Sequence, residues 1–546
     1  MSFDTIVALD TDFDSARFGA VCIRHGGQRL HFIALAPRPV DAGQLPEPWR
    51  KQWPPFVPGL HRMLSPDGLV TLDLLIGDVD AGLAQLSARI DEIWLAAVPS
   101  SLTVLARLMA DGAHLYAAQL GDGQRAALQK AGFVFDDSRL RAVFQRRGAG
   151  PALAVKPERR AIVIGAGLAG AAACERLAAR GWRLTLIERH GQPASEASGN
   201  LAGIFMPQLS KDDNVATRLV RAAYLYALRH WQTLGGVGTG YEGEQCGVLQ
   251  LARDAQHAQV QRQIAATALP PPEFARWLEA PEASTMLGSP APHGAWWFAQ
   301  GGWARPSSVC AAMLDACGSL LTRRFSRSAV TLQREQDEWL VRDGDGSLIA
   351  QAPTVILAAG NGAIHLAQAA SLPLDAVRGQ VTHLAQGSLP ELPFVLCREA
   401  YMTPAHQGIV CVGATYDADG DASLRATSQQ ENIGKVADIL GVPSFDAPLA
   451  GRTGFRCVAP DRLPLAGALP NPSVPGRCER LRDVPRWPGL FGLLGYASRG
   501  LIWAPLAAEL LACQLEGEPL PVEVQLAEAL DPGRFLLRER RRSGAA

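Results

Sequence analysis

No two of the ten cysteines stand at Cys-x-x-Cys spacing, which argues against a zinc ribbon and against a thioredoxin-type dithiol. No metal site is expected, and the scattered thiols suit a reduced, cytoplasmic protein. The N-terminus, MSFDTIVALDTDFDS, lacks a basic region followed by an apolar run, so no signal peptide is expected. An uninterrupted apolar stretch long enough to cross a bilayer is missing too, and no membrane partner is expected. Charge of one sign is also lacking: 52 Lys and Arg face 53 Asp and Glu, a net charge of -1. No global field draws such a chain to nucleic acid or membrane, and only a local basic face would serve RNA.

What is present suits an ordinary soluble enzyme, with 48% hydrophobic and 19% charged residues. At 546 residues the chain exceeds one compact core, and two to four domains are expected. The fold class is α/β. Over residues 1–145, short apolar runs at 6–9, 30–35, 70–76, 93–98 and 113–118 alternate with amphipathic stretches at 102–109 and 124–131, the pattern of a mostly parallel sheet. A Gly/Pro-rich, charged join over 146–157 reads as a linker. A second α/β unit occupies 158–546. Its dinucleotide parts fall at about 158–235, 350–375 and 485–525. An inserted, substrate-facing antiparallel sheet is expected over about 236–349 and 376–484. A hairpin is predicted there, with 330–333 and 339–342 flanking residues 335–337.

The strongest local signal is Gly165-Ala166-Gly167-Leu168-Ala169-Gly170, between a predicted strand over 161–164 and a predicted helix over 168–180. Gly165 permits a tight turn, Gly167 lets backbone approach a pyrophosphate, and Gly170 allows close helix–strand packing at a helix N-terminus. Glu188 ends the second strand, 18 residues after Gly170, and suits a ribose hydroxyl. Three remote segments favour FAD over NAD. One is the small polar loop holding Ser198, Gly199 and Asn200. The second is the strand that runs into Gly360, for which a plain buried strand is the competing reading. The third is Ser498-Arg499-Gly500-Leu501, opening a helix whose amides can face the flavin.

With these segments in hand, residues from about 157 to 542 resemble the FAD domain of the bifunctional tRNA wobble-uridine modification family MnmC, within the glycine oxidase and D-amino-acid oxidase superfamily. The resemblance rests on Ala197-Ser198-Gly199-Asn200, Pro207-Gln208-Leu209-Ser210-Lys211-Asp212-Asp213-Asn214, Gln300-Gly301-Gly302-Trp303 and Gly379-Gln380-Val381. It extends through Tyr401-Met402-Thr403-Pro404, Gly413-Ala414-Thr415-Tyr416, Gly454-Phe455-Arg456-Cys457 and Asp461-Arg462-Leu463-Pro464. It implies FAD as cofactor and the anticodon loop of tRNA as partner. The implied reaction removes the carboxymethyl group of 5-carboxymethylaminomethyl-(2-thio)uridine at the wobble position, giving 5-aminomethyl-uridine and glyoxylate. It also implies that Arg456 binds the substrate carboxylate, as a planar guanidinium can through two parallel hydrogen bonds. An ordinary ion-pair role is its alternative. Arg499 suits either the flavin or an RNA phosphate. Tyr401 and Tyr416 suit either a splayed base or a sheet core. Arg534, Arg538, Arg540, Arg541 and Arg542 suit either phosphates or a solvated terminal helix.

Residues 1–145 resemble the methyltransferase domain that precedes the FAD domain in the same family, through Leu30-His31-Phe32, Pro58-Gly59-Leu60-His61-Arg62 and Thr71-Leu72-Asp73-Leu74. The chemistry-bearing positions depart from the pattern. The glycine-rich loop after the first strand is replaced by Asp10-Thr11-Asp12-Phe13-Asp14, whose carboxylates crowd and repel the methyl donor's carboxylate end. Ala36 stands where the ribose-binding acid is expected, and Ala96-Ala97-Val98-Pro99 replaces the family's Asp-Gly-Phe-Ala-Pro segment. Together these departures imply a degenerate domain that binds no S-adenosylmethionine. Two other functions stay open on the sequence: FAD-dependent oxidation of a free amino acid (glycine, sarcosine or a D-amino acid), and a non-catalytic flavin-containing tRNA-binding protein.

Overall fold

The computed structural model describes residues 5–146, 148, 158–267, 270–328 and 330–543. Most of the expected linker at 146–157 therefore lies outside the described residues. The chain divides into two compact units, Met1–Pro157 with Ala512–Glu528, and Glu158–Leu511 with Ala529–Ala546.

The first unit is built on eight strands: β1 (Thr5–Asp10), β2 (Arg29–Ala36), β3 (Gly59–Leu64), β4 (Val70–Ile76), β5 (Ile90–Leu95), β6 (Met109–Ala117), β7 (Phe133–Phe135) and β8 (Arg141–Phe144). They are ordered β3-β4-β2-β1-β5-β6-β8-β7. The five central strands are parallel, and β3, β8 and β7 pair antiparallel at the edges. Both faces are covered, as a parallel sheet requires. Along β2, Ile33 and Leu35 join Leu9 and Ile93 on one side, while Phe32 and Ala34 join Phe18 and Leu72 on the other. The strand expected over 93–98 sits three residues earlier, because burial of Ile90 and Ile93 sets its register.

The segment 512–528, of which 512–525 is expected within the dinucleotide part, belongs instead to this first unit. Arg62 explains how it is held. Its fully buried guanidinium binds Asp73 through Nε at 2.8 Å and Nη2 at 2.7 Å, and donates to Cys513 Sγ at 2.9 Å and the Pro519 carbonyl at 2.7 Å. A buried ion pair persists only where its remaining donors are met, and residues 513 and 519 meet them.

The second unit holds a six-stranded sheet in the order Leu321–Arg324, Arg183–Ile187, Arg160–Ile164, Thr354–Leu357, Arg486–Leu494, Leu465–Pro470. All neighbours are parallel except the last pair. The chain leaves Arg160–Ile164 in both directions, so a switch point lies at its C-terminal end, where ligands of such sheets bind. The helix that follows, Leu168–Ala178, is buried along its whole length because Ala and Gly dominate its faces. A separate eight-stranded sheet runs Arg276–Leu278, Ala295–Phe298, Val248–Leu251, Val395–Cys397, Tyr401–Met402, Ile409–Gly413, Asp375–Ala385, Gly451–Val458.

Two boundaries differ from expectation. The hairpin forms, as Thr331–Glu335 against Glu338–Arg342, but with Leu348–Ala352 it makes its own three-stranded sheet. Its Leu332, Trp339 and Val341 join Ile162 and Val355 in one core, so it packs on the dinucleotide side. Alternation reveals a one-sided strand without saying which sheet it covers. Leu321–Arg324 and Leu465–Pro470 likewise belong to the dinucleotide sheet. Among the described residues, no helix is long and apolar enough to cross a membrane, and no group of His, Cys, Asp and Glu is placed to hold a metal ion.

Candidate flavin and substrate site

The glycines after Arg160–Ile164 are demanded by space. Gly165 takes φ +105°, and a Cβ there would lie 2.6 Å from the Ala358 carbonyl oxygen. At Gly170 a Cβ would lie 1.8 Å from the Gly165 oxygen, so only glycine lets the helix sit this close to the turn. At Gly167 the obstacle is the movable Ser198 hydroxyl, 3.0 Å away. Ser198 Oγ accepts from the Leu168 amide at 3.1 Å, bringing the 195–200 loop to the helix N-terminus. Gly500 packs on Leu168 and Gly203 on Leu501. Two helix N-termini, at Leu168 and Gly500, therefore lie together, and the positive ends of both helices suit an anion.

Glu188 is buried and accepts from the Ala166 amide at 2.7 Å and the His190 amide at 2.9 Å. It thus shapes the glycine turn itself, a role its position in the sequence does not display. Gly360 takes φ +52° at the head of a 3-10 turn, Gly360–His365. Next to it, Asn361 donates to the Phe455 carbonyl at 3.1 Å, tying this turn to the substrate sheet. Asn200 is half-buried beside Gly199. Arg452 went unnoticed in the sequence. Its guanidinium would lie 2.4 Å from a Cβ at Gly199, and it donates to the Ser195 carbonyl and, at 2.7 Å, to that of Glu196. Burial depresses its pKa, and its Nη1 is buried without an acceptor among the described residues. Glycine cradle, converging helix ends and an orphaned guanidinium nitrogen fit a bound pyrophosphate.

Arg456 rises from Gly451–Val458, one strand from Asp375–Ala385, with Gly454 opposite Gly379. The side chain crosses that strand where a Cβ at Gly379 would lie 2.0 Å from Nη1. It ends 4.2 Å from the Tyr416 ring centroid, and Nη1 donates to the Thr415 carbonyl at 3.2 Å and the Arg378 carbonyl at 3.4 Å. Among the described residues, no carboxylate lies within ion-pair distance of Arg456. Tyr416 is 65% exposed, and its hydroxyl lies 3.2 Å from Ser498 Oγ. Arg499 stands beside Cys397 and Tyr416; burial lowers its pKa and raises the Cys397 thiol to about 11. Two guanidinium groups, an exposed aromatic face and the second helix N-terminus are thereby assembled.

A buried network supports the loop that carries Tyr416. Arg378 is fully buried and binds Asp417 at 2.8 Å, the carbonyls of Asp421 and Ser423 at 2.7 Å each, and Gln380 at 3.2 Å. Tyr401 belongs to the sheet: among the described residues its hydroxyl reaches only the Ala202 carbonyl, at 3.5 Å, and burial raises its pKa. Of the two tyrosines, only Tyr416 offers a free face.

In the first unit, the switch point opens a cavity of about 660 Å³ lined by Asp12, Phe13, Arg38, Trp94, Ala96 and Tyr116. The three aspartates do not stand as bare charges. Asp10 pairs with Arg17 and Asp12 with Arg38, each at 2.6 Å, while Asp14 caps the helix Ser15–Arg24. The expected repulsion is therefore muted, and ion-paired side chains occupy the mouth instead. Burial outweighs Arg17 and raises the Asp10 carboxyl from 3.8 to about 6. The folded state then holds this proton more tightly than the unfolded chain, so this group's contribution to stability falls as pH rises from 3.8 to about 6. Asp10→Asn should accordingly raise Tm at pH 7, with the advantage shrinking towards pH 4 (paired thermal scans across pH). An advantage independent of pH would refute the assignment.

Fold and cradle define a class, the FAD-dependent oxidoreductases, and the family model described as FAD dependent oxidoreductase matches residues 160–514. Over nearly the whole length, the chain belongs to the family of tRNA 5-methylaminomethyl-2-thiouridine biosynthesis bifunctional proteins, MnmC. It is 42% identical to the member from Azoarcus sp. (strain BH72) and 40% identical to that from Paraburkholderia xenovorans (strain LB400). Each match covers 94% of this chain and 86% of the relative. Among solved structures, iminodiacetate oxidase from Chelativorans sp. BNC1 is 25% identical with a TM-score of 0.55, covering 66% of this chain and 96% of that one. Glycine oxidase from Geobacillus kaustophilus, 22% identical with a TM-score of 0.53 over 66% of this chain and 95% of its own, shares the fold.

Proposed function

We propose that this chain removes the carboxymethyl group from 5-carboxymethylaminomethyl-(2-thio)uridine at the tRNA wobble position, leaving 5-aminomethyl-uridine and releasing glyoxylate. The observation that carries the reading is Arg456, a guanidinium without a protein carboxylate, held at the flavin cradle over an exposed tyrosine. The modified base ends in an N-substituted glycine, and a guanidinium fork matches its carboxylate. FAD, when bound, would accept the hydride, and with it both electrons, from the carbon between amine and carboxylate, and water would hydrolyse the resulting imine to glyoxylate and the aminomethyl product. The protein's part is placement. Arg456 fixes the carboxylate, Arg378 and Asp417 hold the Tyr416 loop, and the open face of Tyr416 can stack on a splayed base. Its exposure suits a substrate too large to be enclosed.

The first unit we read as a methyltransferase-derived scaffold that transfers no methyl group. Ala36 at the end of β2 offers no acid to a ribose, and Asp12–Arg38 and Asp10–Arg17 fill the place of a glycine loop. A second reading, oxidation of a free amino acid, is favoured by the resemblance to iminodiacetate oxidase, whose namesake is itself an N-carboxymethyl glycine. One experiment decides between them. Flavin-loaded protein is incubated with tRNA carrying the carboxymethylaminomethyl group, with and without S-adenosylmethionine, and the wobble nucleosides are weighed by mass spectrometry. Aminomethyl product under both conditions is expected. Methylaminomethyl product would overturn the scaffold reading, and unchanged tRNA alongside oxidised iminodiacetate would overturn the tRNA reading.

A further inference from the structure

The terminal helix Arg534–Ser543 and the 471–485 loop hold eight arginines against three acidic residues, whereas the whole chain nets -1. The two segments are locked together. Cys478 and Val484 of the loop share a small core with Leu537, and Leu481 and Leu536 pack against it. Arg540 donates to the carbonyls of Gly476 at 3.1 Å and Val474 at 2.5 Å, and Arg541 to that of Glu479. Carbonyl oxygens fix a guanidinium in place without cancelling its charge. Arg477, Arg480, Arg482, Arg541 and Arg542 are exposed, and among the described residues no carboxylate lies within ion-pair distance of any of them. The helix starts close to the candidate site, since Arg534 grips Asp461 through two bonds of 2.9 Å and Asp461 lies five residues beyond Arg456. From Arg534, a rise of about 1.5 Å per residue places Arg538, Arg541 and Arg542 about 6, 10 and 12 Å along the helix axis.

Resting on the function proposed above, we infer that this arginine rail binds the phosphate backbone of the RNA whose wobble base enters the flavin site. Arg538, Arg541 and Arg542 stand at i, i+3 and i+4, one face of the helix, so their charges line up as a polyanion requires. Beside them runs a groove of about 500 Å³ whose lining is mostly apolar, with Leu372, Pro470, Pro472 and Phe535, and whose charged residues are Arg538, Arg542 and one acid, Glu539. Apolar lining beside two guanidinium groups and a single carboxylate suits sugar and phosphate together. A lipid surface fits less well, because a membrane-seeking helix needs an exposed apolar face, and Leu537 is buried with Leu536 packed half-buried against the same core.

The test uses the flavin-loaded full chain and the triple variant Arg480→Glu, Arg482→Glu, Arg542→Glu, chosen because none of these side chains makes a contact that folding would miss. Filter binding of unmodified tRNA across a salt series should show Kd raised about tenfold or more, and the log–log salt slope reduced by about 2. Tm and flavin content should match wild type. Equal affinity and equal slope would overturn the rail. So would loss of binding to phosphatidylserine vesicles with tRNA binding intact, which would assign the patch to membrane. Wild-type protein that binds through the rail yet leaves the wobble nucleoside of carboxymethylaminomethyl-bearing tRNA unchanged would sink the proposed reaction while keeping this surface.

Discussion

Gly170→Ala is expected to give a folded protein that has lost its flavin. The added methyl would sit 1.8 Å from the Gly165 oxygen, a separation that no rotamer relieves because the oxygen is backbone and the Cβ position is fixed by the backbone of residue 170. Either the helix Leu168–Ala178 moves away from its strand or the glycine turn opens, and in both cases the amides at Leu168 leave their common focus with those at Gly500. Charge-assisted hydrogen bonds lost in this way cost about 1.5–3 kcal/mol each, and losing two corresponds to a weakening of roughly 100-fold or more. Two further glycines make the series interpretable. Gly167→Ala meets only the Ser198 hydroxyl, which can rotate, so a partial loss is expected. Gly434→Ala, inside the helix Ala426–Leu440 with nothing within 4 Å of the added carbon, should keep full flavin content. Visible absorbance of the purified proteins reads all three, and far-ultraviolet circular dichroism establishes that they are folded. Full retention of flavin by Gly170→Ala would mean that the cradle lies elsewhere.

The same contrast between local and distant causes explains what the sequence discloses. The strand, the three glycines and the helix were legible because each requirement is met within ten residues of its cause: a turn, a close approach, a helix end. The strand over 70–76 was legible for a similar reason, its apolar run being buried on both faces. Arg452 was not legible, since its partners Ser195 and Glu196 lie more than 250 residues away and only the fold brings them together. Arg62 pairs with nearby Asp73, but Cys513 and Pro519, which complete its shell, lie over 450 residues further on. Hence the assignment of 512–528 to the first unit is not legible from the sequence around it. Glu188 was found for its position at a strand end, while its bonds to the Ala166 and His190 amides depend on how the turn closes. The terminal arginines divide in the same way. Arg534 is a buried ion-pair partner of Asp461 and Arg540 a clamp on loop carbonyls, whereas Arg538, though 3.5 Å from Asp461, and Arg541, which donates to the Glu479 carbonyl, stay exposed like Arg542 and can still meet an outside ligand.

Arg456→Ala should raise KM for the carboxymethylaminomethyl tRNA about 10- to 150-fold, the equivalent of one charged hydrogen-bond set worth roughly 1.5–3 kcal/mol. Flavin content should not change, because the side chain stands on the substrate sheet and donates to Thr415 and Arg378 rather than to the cradle. The alternative role, a structural guanidinium bracing the Tyr416 loop, makes a different prediction. Losing a brace would lower Tm and disturb Tyr416, whereas losing a carboxylate clamp would leave Tm close to wild type. Arg456→Lys separates the two further. An ammonium keeps the charge but presents no planar fork, so it should recover only part of the affinity for a carboxylate. It could still donate one bond to the Thr415 carbonyl and restore the brace. A substrate analogue with the carboxylate replaced by an amide closes the cycle: wild type should lose affinity for it by about the factor that Arg456→Ala loses for the acid, and Arg456→Ala should scarcely distinguish the two. If the variant discriminates acid from amide as sharply as wild type, the carboxylate is held by another group, and the neighbouring guanidinium of Arg499 becomes the one to replace.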